Sequence, residues 1–299
     1  MFRIAHISDP HLGPLPAIIP GSLRVKQRLG HLNWQRNRAH AFDDAIVAAI
    51  VDDIQAAKPD HIAVTGDLIN LGLPAEVEAA RSWLDTLGPP DKVSVIPGNH
   101  DAYTGASDAH TRTCWAPFME GDHGAQARAG ARFPYLRRRG EVALIGISTG
   151  IVTAPLMATG MVDEEQLTGL ATLLQTAQDQ ALCRVVMIHH PPDNGACPWH
   201  KRLRDADAFR DVVATWGAEV ILCGHNHRNR RAAIEGPSGN VPVIGVAATS
   251  MVPTQDRAGG SWNLVQCSRN ENGFNVDITT RGWSADGGIS HLDHAILRA

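Results

Sequence analysis

The sequence is poor in aromatic residues, 5% in all with two tyrosines. That argues against a base-stacking surface for single-stranded nucleic acid. It has no large excess of either charge: the formal net charge is −4 with the 15 histidines counted neutral. No general attraction to nucleic acid or to an anionic membrane follows. A long apolar run is also missing, since the stretch Ala45 to Val51 is far too short to span a bilayer. The five cysteines (Cys114, Cys183, Cys197, Cys223, Cys267) are odd in number, widely spaced and without a CxxC. They read as thiols of a reducing compartment, not as a disulfide framework. Repeats, low-complexity tracts and linker-like composition shifts are absent, so residues 1–299 read as one domain. Met1 to His6 run straight into a strand pattern, so no cleaved signal peptide is expected and the protein reads as cytoplasmic. A homo-oligomer is left open.

Hydrophobic residues make up 43% of the 299, enough for a substantial core. Apolar runs of strand length alternate with helical patterns. Strands are expected over 2–8, 61–65, 93–96, 142–147, 185–188 and 220–223, and helices over 39–57, 74–87, 163–178 and 205–216. In the first of these helices Phe42, Ile46, Ala49, Ile50 and Ile54 recur at three- and four-residue steps. After Arg228 only strand patterns remain, over 230–234, 241–247, 262–267 and 274–279. The expectation is a mixed α/β architecture: βα units build an inner sheet and the late strands complete a second one. Two long loops, 12–38 and 102–130, interrupt it and are candidate caps over a site.

Five short segments stand at the ends of the expected strands: Asp9-Pro10-His11, Gly66-Asp67, Gly98-Asn99-His100-Asp101, His189-His190-Pro191 and Gly224-His225-Asn226-His227. Parallel strands of an α/β fold place their C-terminal ends on one edge, so donors far apart in sequence can converge there. A mixture of carboxylate, amide and imidazole suits manganese, iron or zinc, not a thiolate-selecting or an all-oxygen calcium site. Glycines at 66, 98 and 224 allow tight turns close to the ions.

These segments, in this order, resemble the pattern D-x-H, G-D, G-N-H-D/E, H and G-H-x-H of the calcineurin-like metallophosphoesterase superfamily. The His189-His190-Pro191-Pro192 wording is similar to that of the bacterial cyclic-nucleotide and glycerophosphodiester phosphodiesterases. The resemblance implies a four-layer αββα sandwich, two mixed sheets flanked by helices. It implies one metal held by Asp9, His11, Asp67 and His227, and another by Asp67, Asn99, His189 and His225. Asp67 and a hydroxide would bridge the two ions. Such a pair lowers the pKa of the shared water and clamps the attacking and leaving oxygens. His100 would act as proton donor or phosphoryl-binding group, and Asp101 would orient His100 or a neighbouring ligand. The implied reaction is hydrolysis of a small phosphodiester. A phosphomonoester, a protein phosphate or a nucleotide or lipid pyrophosphate is the alternative substrate within the same fold, and a non-catalytic scaffold the alternative outside enzymology.

Other residues read more plainly. His6, His31, His40, His61, His110, His123, His291 and His294 read as structural or surface histidines, and His190 as packed beside its neighbour. Arg137-Arg138-Arg139 reads as a solvated turn. His200 and Arg204 are weighed as substrate contacts, Arg228, Arg230 and Arg231 as phosphate attractors or solvated side chains. The mixture of Leu15, Ile18, Leu29 and Trp34 with cations in loop 12–38 raises an amphiphilic substrate as one option and an ordinary cap as the other.

Overall fold

Parallel βα units make up one half of each of two sheets. The computed structural model describes residues 1–19, 21–122, 133–255, 257–284 and 287–298. His123 and the 123–130 part of loop 102–130 lie outside them. The first sheet begins with β1 (Phe2–Ile7), β2 (His61–Val64) and β3 (Val93–Val95), all parallel. The second holds β4 (Tyr135–Arg139), β5 (Val142–Gly146), β6 (Cys183–Met187), β7 (Val220–Cys223), β8 (Arg230–Gly236) and β9 (Gly239–Gly245). Its spatial order is β4-β5-β6-β7-β9-β8, with antiparallel strands at both edges. β10 (Ser261–Asn270), β11 (Gly273–Ser284) and β12 (Gly288–Arg298) form a meander that returns to the first sheet, giving β12-β11-β10-β1-β2-β3. The late strands therefore do not build one new sheet. They divide, because β8 and β9 continue the parallel edge at β7 whereas β10 pairs antiparallel with the free edge of β1.

The two-residue period of the strands explains the layers. Val142, Leu144, Val185, Met187, Val220 and Leu222 join the core shared with the first sheet, while Ala143, Ile145, Val186, Ile221 and Cys223 face the helices on the other side. Those helices are α5 (Glu164–Asp179) and α6 (Ala206–Trp216). α2 (Asp44–Ala57) and α3 (Pro74–Leu87) pack with the first sheet through Ile46, Ile50, Ile54, Val77 and Leu84. The result is two mixed sheets flanked by helices. The expected helix start at residue 39 moves to Asp44, because the Asp43 carboxylate accepts from the Ala45 N–H and caps the helix there.

The two long loops contain helices that the sequence pattern does not announce: α1 (Val25–Asn33), followed by a π-helical turn Trp34–Arg38, and α4 (Gly105–Cys114). Both are polar, with only Gln27 buried in α1 and only Ser107 and Thr111 in α4. The Arg137–Arg139 run is also not a turn but the end of β4. Arg137 is 3% exposed, and its guanidinium donates to the carbonyls of Glu120, Pro90, Val93 and Pro117. Arginine can be buried there because backbone acceptors meet its fixed fork of donors.

Candidate metal centre

Each candidate donor lies just beyond the C-terminal end of a parallel strand. Asp9 and His11 follow β1, Asp67 follows β2, Asn99 follows β3, His189 follows β6, and His225 and His227 follow β7. The first sheet thus contributes the oxygen donors and His11, and the second the other three imidazoles. Backbone bonds lock the loops together: Asp9 N–H to Gly66 O at 2.9 Å, His11 N–H to Asp67 O at 3.1 Å, and Gly224 N–H to His189 O at 3.1 Å. Gly66 holds φ +96°, and a Cβ there would lie 2.5 Å from the Gly98 nitrogen. A Cβ on Gly224 would meet the Asp9 carboxylate at 2.5 Å.

Two groups of ligand atoms, each within 4.8 Å of one another, form where these loops meet: Asp9, His11, Asp67 and His227, then Asp67, His189 and His225. Asp67 belongs to both. His227 Nε2 lies 3.1 Å from Asp9 Oδ1, and His189 Nε2 lies 3.4 Å from Asp67 Oδ2. The ring orientations are set from behind. His11 Nδ1 bonds the Ile69 carbonyl at 3.2 Å and His189 Nδ1 the Thr65 carbonyl at 2.6 Å, so each presents Nε2. His225 does the reverse, bonding the Lys201 carbonyl through Nε2 at 2.9 Å. Among the described residues, Asp9 Oδ1, Asn99 Oδ1 and His189 Nε2 are buried without a hydrogen-bond partner. Native interiors rarely leave such atoms unmatched. A carboxylate, an amide oxygen and an imidazole nitrogen so placed are donors that fit metal ions.

The charge balance agrees. Burial alone would raise the Asp67 carboxyl, but His189 and His100 hold it well below the usual range. Burial alone would lower His189, yet Asp67 and then Asp9 push it up to about 9. The two carboxylates make the centre a concentrated negative site. His11 and His225 stay far below the ordinary imidazole value, chiefly through burial.

Asp101 is fully buried beside this centre, and its carboxylate bonds backbone N–H groups of the ligand loops. Its carboxylate accepts from the N–H groups of Asp67 and Gly98, both at 2.8 Å, and of Leu68 at 2.9 Å. It joins the two loops that carry Asp67 and Asn99. His100 donates its backbone N–H to Asp67 Oδ1 at 2.7 Å, and its ring bonds the Asn70 carbonyl through Nδ1 at 2.6 Å. Arg38 Nη1 donates to His100 Nε2 at 2.8 Å. Burial, then Arg38, pushes His100 down to about 4.

Arg38, Phe42, Asn70 and Tyr103 are site residues that motif reading does not identify. Phe42 stacks on His11 at 4.8 Å instead of lying on the apolar face of α2. Tyr103 stacks on His100 at 5.6 Å. The mixture of apolar residues with cations in loop 12–38 singles out the segment but not these side chains; its Lys26, Leu29, Trp34 and Arg38 line a cleft beside the centre. His190 is buried between Thr149 and Ala158, which its ring nitrogens bond. Lys201, not His200 or Arg204, lines the cleft. Arg230 pairs with Asp193 and Arg231 with Asp293.

A family model described as calcineurin-like phosphoesterase matches residues 2–229. Over 210 residues the chain is 26% identical to the glycerophosphodiester phosphodiesterase GpdQ of Enterobacter lignolyticus, covering 66% of this chain and 68% of that protein. Over 223 residues it is 28% identical to a probable cyclic nucleotide phosphodiesterase of Synechococcus, covering 73% and 76%. Among solved structures, a dimetal phosphatase of Danio rerio superposes with a TM-score of 0.61 at 13% identity, over 99% of this chain and 98% of that one. The purple acid phosphatase PPD1 of yellow lupin gives 0.56 at 12% identity, over 99% and 53%. Both structural likenesses are of fold.

Proposed function

The chain belongs to the calcineurin-like phosphoesterase family, and from that premise we propose that it is a two-metal phosphodiesterase acting on a small phosphodiester. Asp9, His11, Asp67 and His227 would hold one ion, and Asp67, Asn99, His189 and His225 the other. Manganese, iron or zinc suits this donor set. Two bound ions would supply Lewis acidity, lowering the pKa of a shared water and neutralising charge on the attacking and leaving oxygens. The chain's own groups do the rest. Carbonyls of Ile69, Thr65 and Lys201 keep His11, His189 and His225 in the ligating orientation. Asp101 fixes the backbone under Asp67 and Asn99. His100 and Arg38 face the cleft as the pair that meets the phosphoryl and leaving oxygens.

The observation that carries this reading is the set of orphaned buried donors, Asp9 Oδ1, Asn99 Oδ1 and His189 Nε2, around a carboxylate shared by two groups. The names of both curated relatives favour a diester, glycerol-based or cyclic. Residues 1–299 act in this reading as one domain, tied end to end by the pairing of β1 with β10. A cytoplasmic place of action rests on the buried thiols Cys183, Cys223 and Cys267. Metal analysis and a manganese-supplemented assay of bis(p-nitrophenyl) phosphate against p-nitrophenyl phosphate test the proposal. Two ions per chain and preference for the diester are expected. A chain that cannot be loaded with metal contradicts the enzyme, and preference for the monoester contradicts the diesterase.

A further inference from the structure

Helix α1 exposes the face that a helix normally buries. Val25, Leu29 and Leu32 recur at four- and three-residue steps and so share one side. They are 69%, 40% and 46% exposed, while the residue that α1 buries is Gln27, whose Nε2 donates to the Leu71 carbonyl at 3.2 Å. The exposure continues around the cleft. Ile19 precedes α1, Val152 and Leu156 stand on the loop after β5, and Trp199 on the loop after β6, each more than half exposed. Of the ten large apolar side chains exposed among the described residues, seven thus lie on three segments, 10–42, 147–162 and 194–204. These segments form one surface. All three line the cleft, through Leu29, Leu156 and Lys201. Lys26 Nζ donates to Thr153 Oγ1 at 3.1 Å, and the Ala158 N–H to the His200 carbonyl at 2.9 Å.

The same segments carry charge of one sign. Residues 10–42 hold five cations (Arg24, Lys26, Arg28, Arg36 and Arg38), residues 194–204 hold three (Lys201, Arg202 and Arg204), and no Asp or Glu occurs in any of the three segments. The other 19 of the 27 Lys and Arg share the rest of the chain with all 31 acidic residues. The net charge of −4 therefore averages a basic face and an acidic remainder. A contiguous apolar patch marks a surface that docks, and the cations select what it docks on. A second copy would bring the same positive charge to meet it. A nucleic-acid backbone would leave the apolar stripe in water. We propose that this face docks on an anionic lipid bilayer. Val25, Leu29, Leu32, Leu156 and Trp199 enter the headgroup layer, and the exposed Arg24, Arg28, Arg36, Arg202 and Arg204 meet lipid phosphates. The cleft then opens toward the headgroups, and the acidic remainder of the chain faces water. This docking is independent of the phosphoesterase reading, because adsorption needs no turnover.

The probes are vesicles of phosphatidylcholine alone and of phosphatidylcholine with about one third phosphatidylglycerol. In sedimentation with manganese-loaded protein freed of excess metal, partition onto the anionic vesicles should be at least tenfold higher, and should fall as salt screens the cations. Val25→Asp, Leu32→Asp and Trp199→Ser should each lower that partition at least fivefold, and Arg202→Gln about fivefold. Ile296→Asp is the control, an equally exposed apolar position on β12 at the outer edge of the first sheet, and should leave partition unchanged. Thermal unfolding should be the same in all five variants, since each changes an exposed side chain. Equal partition onto the two kinds of vesicle, partition onto neither, or a loss with Ile296→Asp as large as with Leu32→Asp overturns the proposal. So does a dimer in vesicle-free buffer that Leu32→Asp dissociates, because the stripe then meets a second copy and not a lipid surface.

Discussion

Asp9, His11, Asp67, His225 and His227 all hold positive φ, between 41° and 69°. For a non-glycine residue that conformation costs roughly 1–2 kcal/mol each. It is held by the hydrogen bonds between loops and by Asp101, and it turns successive side chains toward one point. The shared carboxylate makes Asp67 the most sensitive position. Asp67→Ala should lose both ions and lower turnover by more than about 10³-fold, as metal analysis beside the diester assay would show. His100 is different in kind, since its ring contacts Asn70 and Arg38. His100→Ala should keep two ions per chain and lose about 10²- to 10⁴-fold in kcat. Equal loss of metal would make it a ligand and refute its placement. At this scale the donors were legible because each is a polar residue at the end of an apolar run. Arg38 and Phe42 were not, because no local pattern marks a side chain whose partner is His100 or His11, far away in sequence.

The segment from α1 through the π-helical turn lines the cleft that also holds Asn99 and His100. It is tethered by Lys26 to Thr153, by Gln27 to the Leu71 carbonyl at 3.2 Å, and by Tyr103 Oη donating to the Lys26 carbonyl at 3.3 Å. Gly30 lies against Tyr103, where a Cβ would collide with the phenolic oxygen. Gly30→Ala should therefore displace α1 from Tyr103 even though alanine favours a helix by about 1 kcal/mol. The expected result is a several-fold higher KM with metal content unchanged. An unchanged KM would show that α1 does not shape the cleft. Helices α2, α3, α5 and α6 were legible from apolar periodicity because each buries a stripe. α1 and α4 bury little apolar surface, so their helicity rests on caps and tethers, such as Thr104 accepting from the Ser107 N–H. β12 carries no strand signal of its own because its described side chains are half-buried or exposed and it is held by pairing with β11.

The two sheets enclose neutral histidines in the first-sheet region as well as at the centre. His61 is 1% exposed, with its Nε2 2.8 Å from Ser94 Oγ, and burial pushes its imidazole down to about 3. The sign follows from the direction. The unfolded chain takes up the proton near pH 6.5 and the folded one does not, so the contribution is complete above pH 6.5 and is lost as pH falls toward 3. From pH 7 to pH 5 that loss amounts to about 2 kcal/mol. In urea denaturation of metal-depleted protein, His61→Gln should be less stable than wild type at pH 7 but lose about 2 kcal/mol less on acidification. A parallel pH dependence in the two proteins would contradict the buried neutral state.

Donor types, their order and the alternation of strand and helix are properties of the chain alone, because they depend on local periodicity and on which side chain follows each apolar run. They were enough to give the layer architecture and the family. The division of the late strands between two sheets, the stacking of Phe42 on His11, the burial of Arg137 among carbonyls and the gathering of Lys26, Arg38 and Lys201 along one cleft depend on which distant surfaces meet. Those encounters are decided by burial and hydrogen-bond satisfaction over the whole molecule, and only the folded chain contains them.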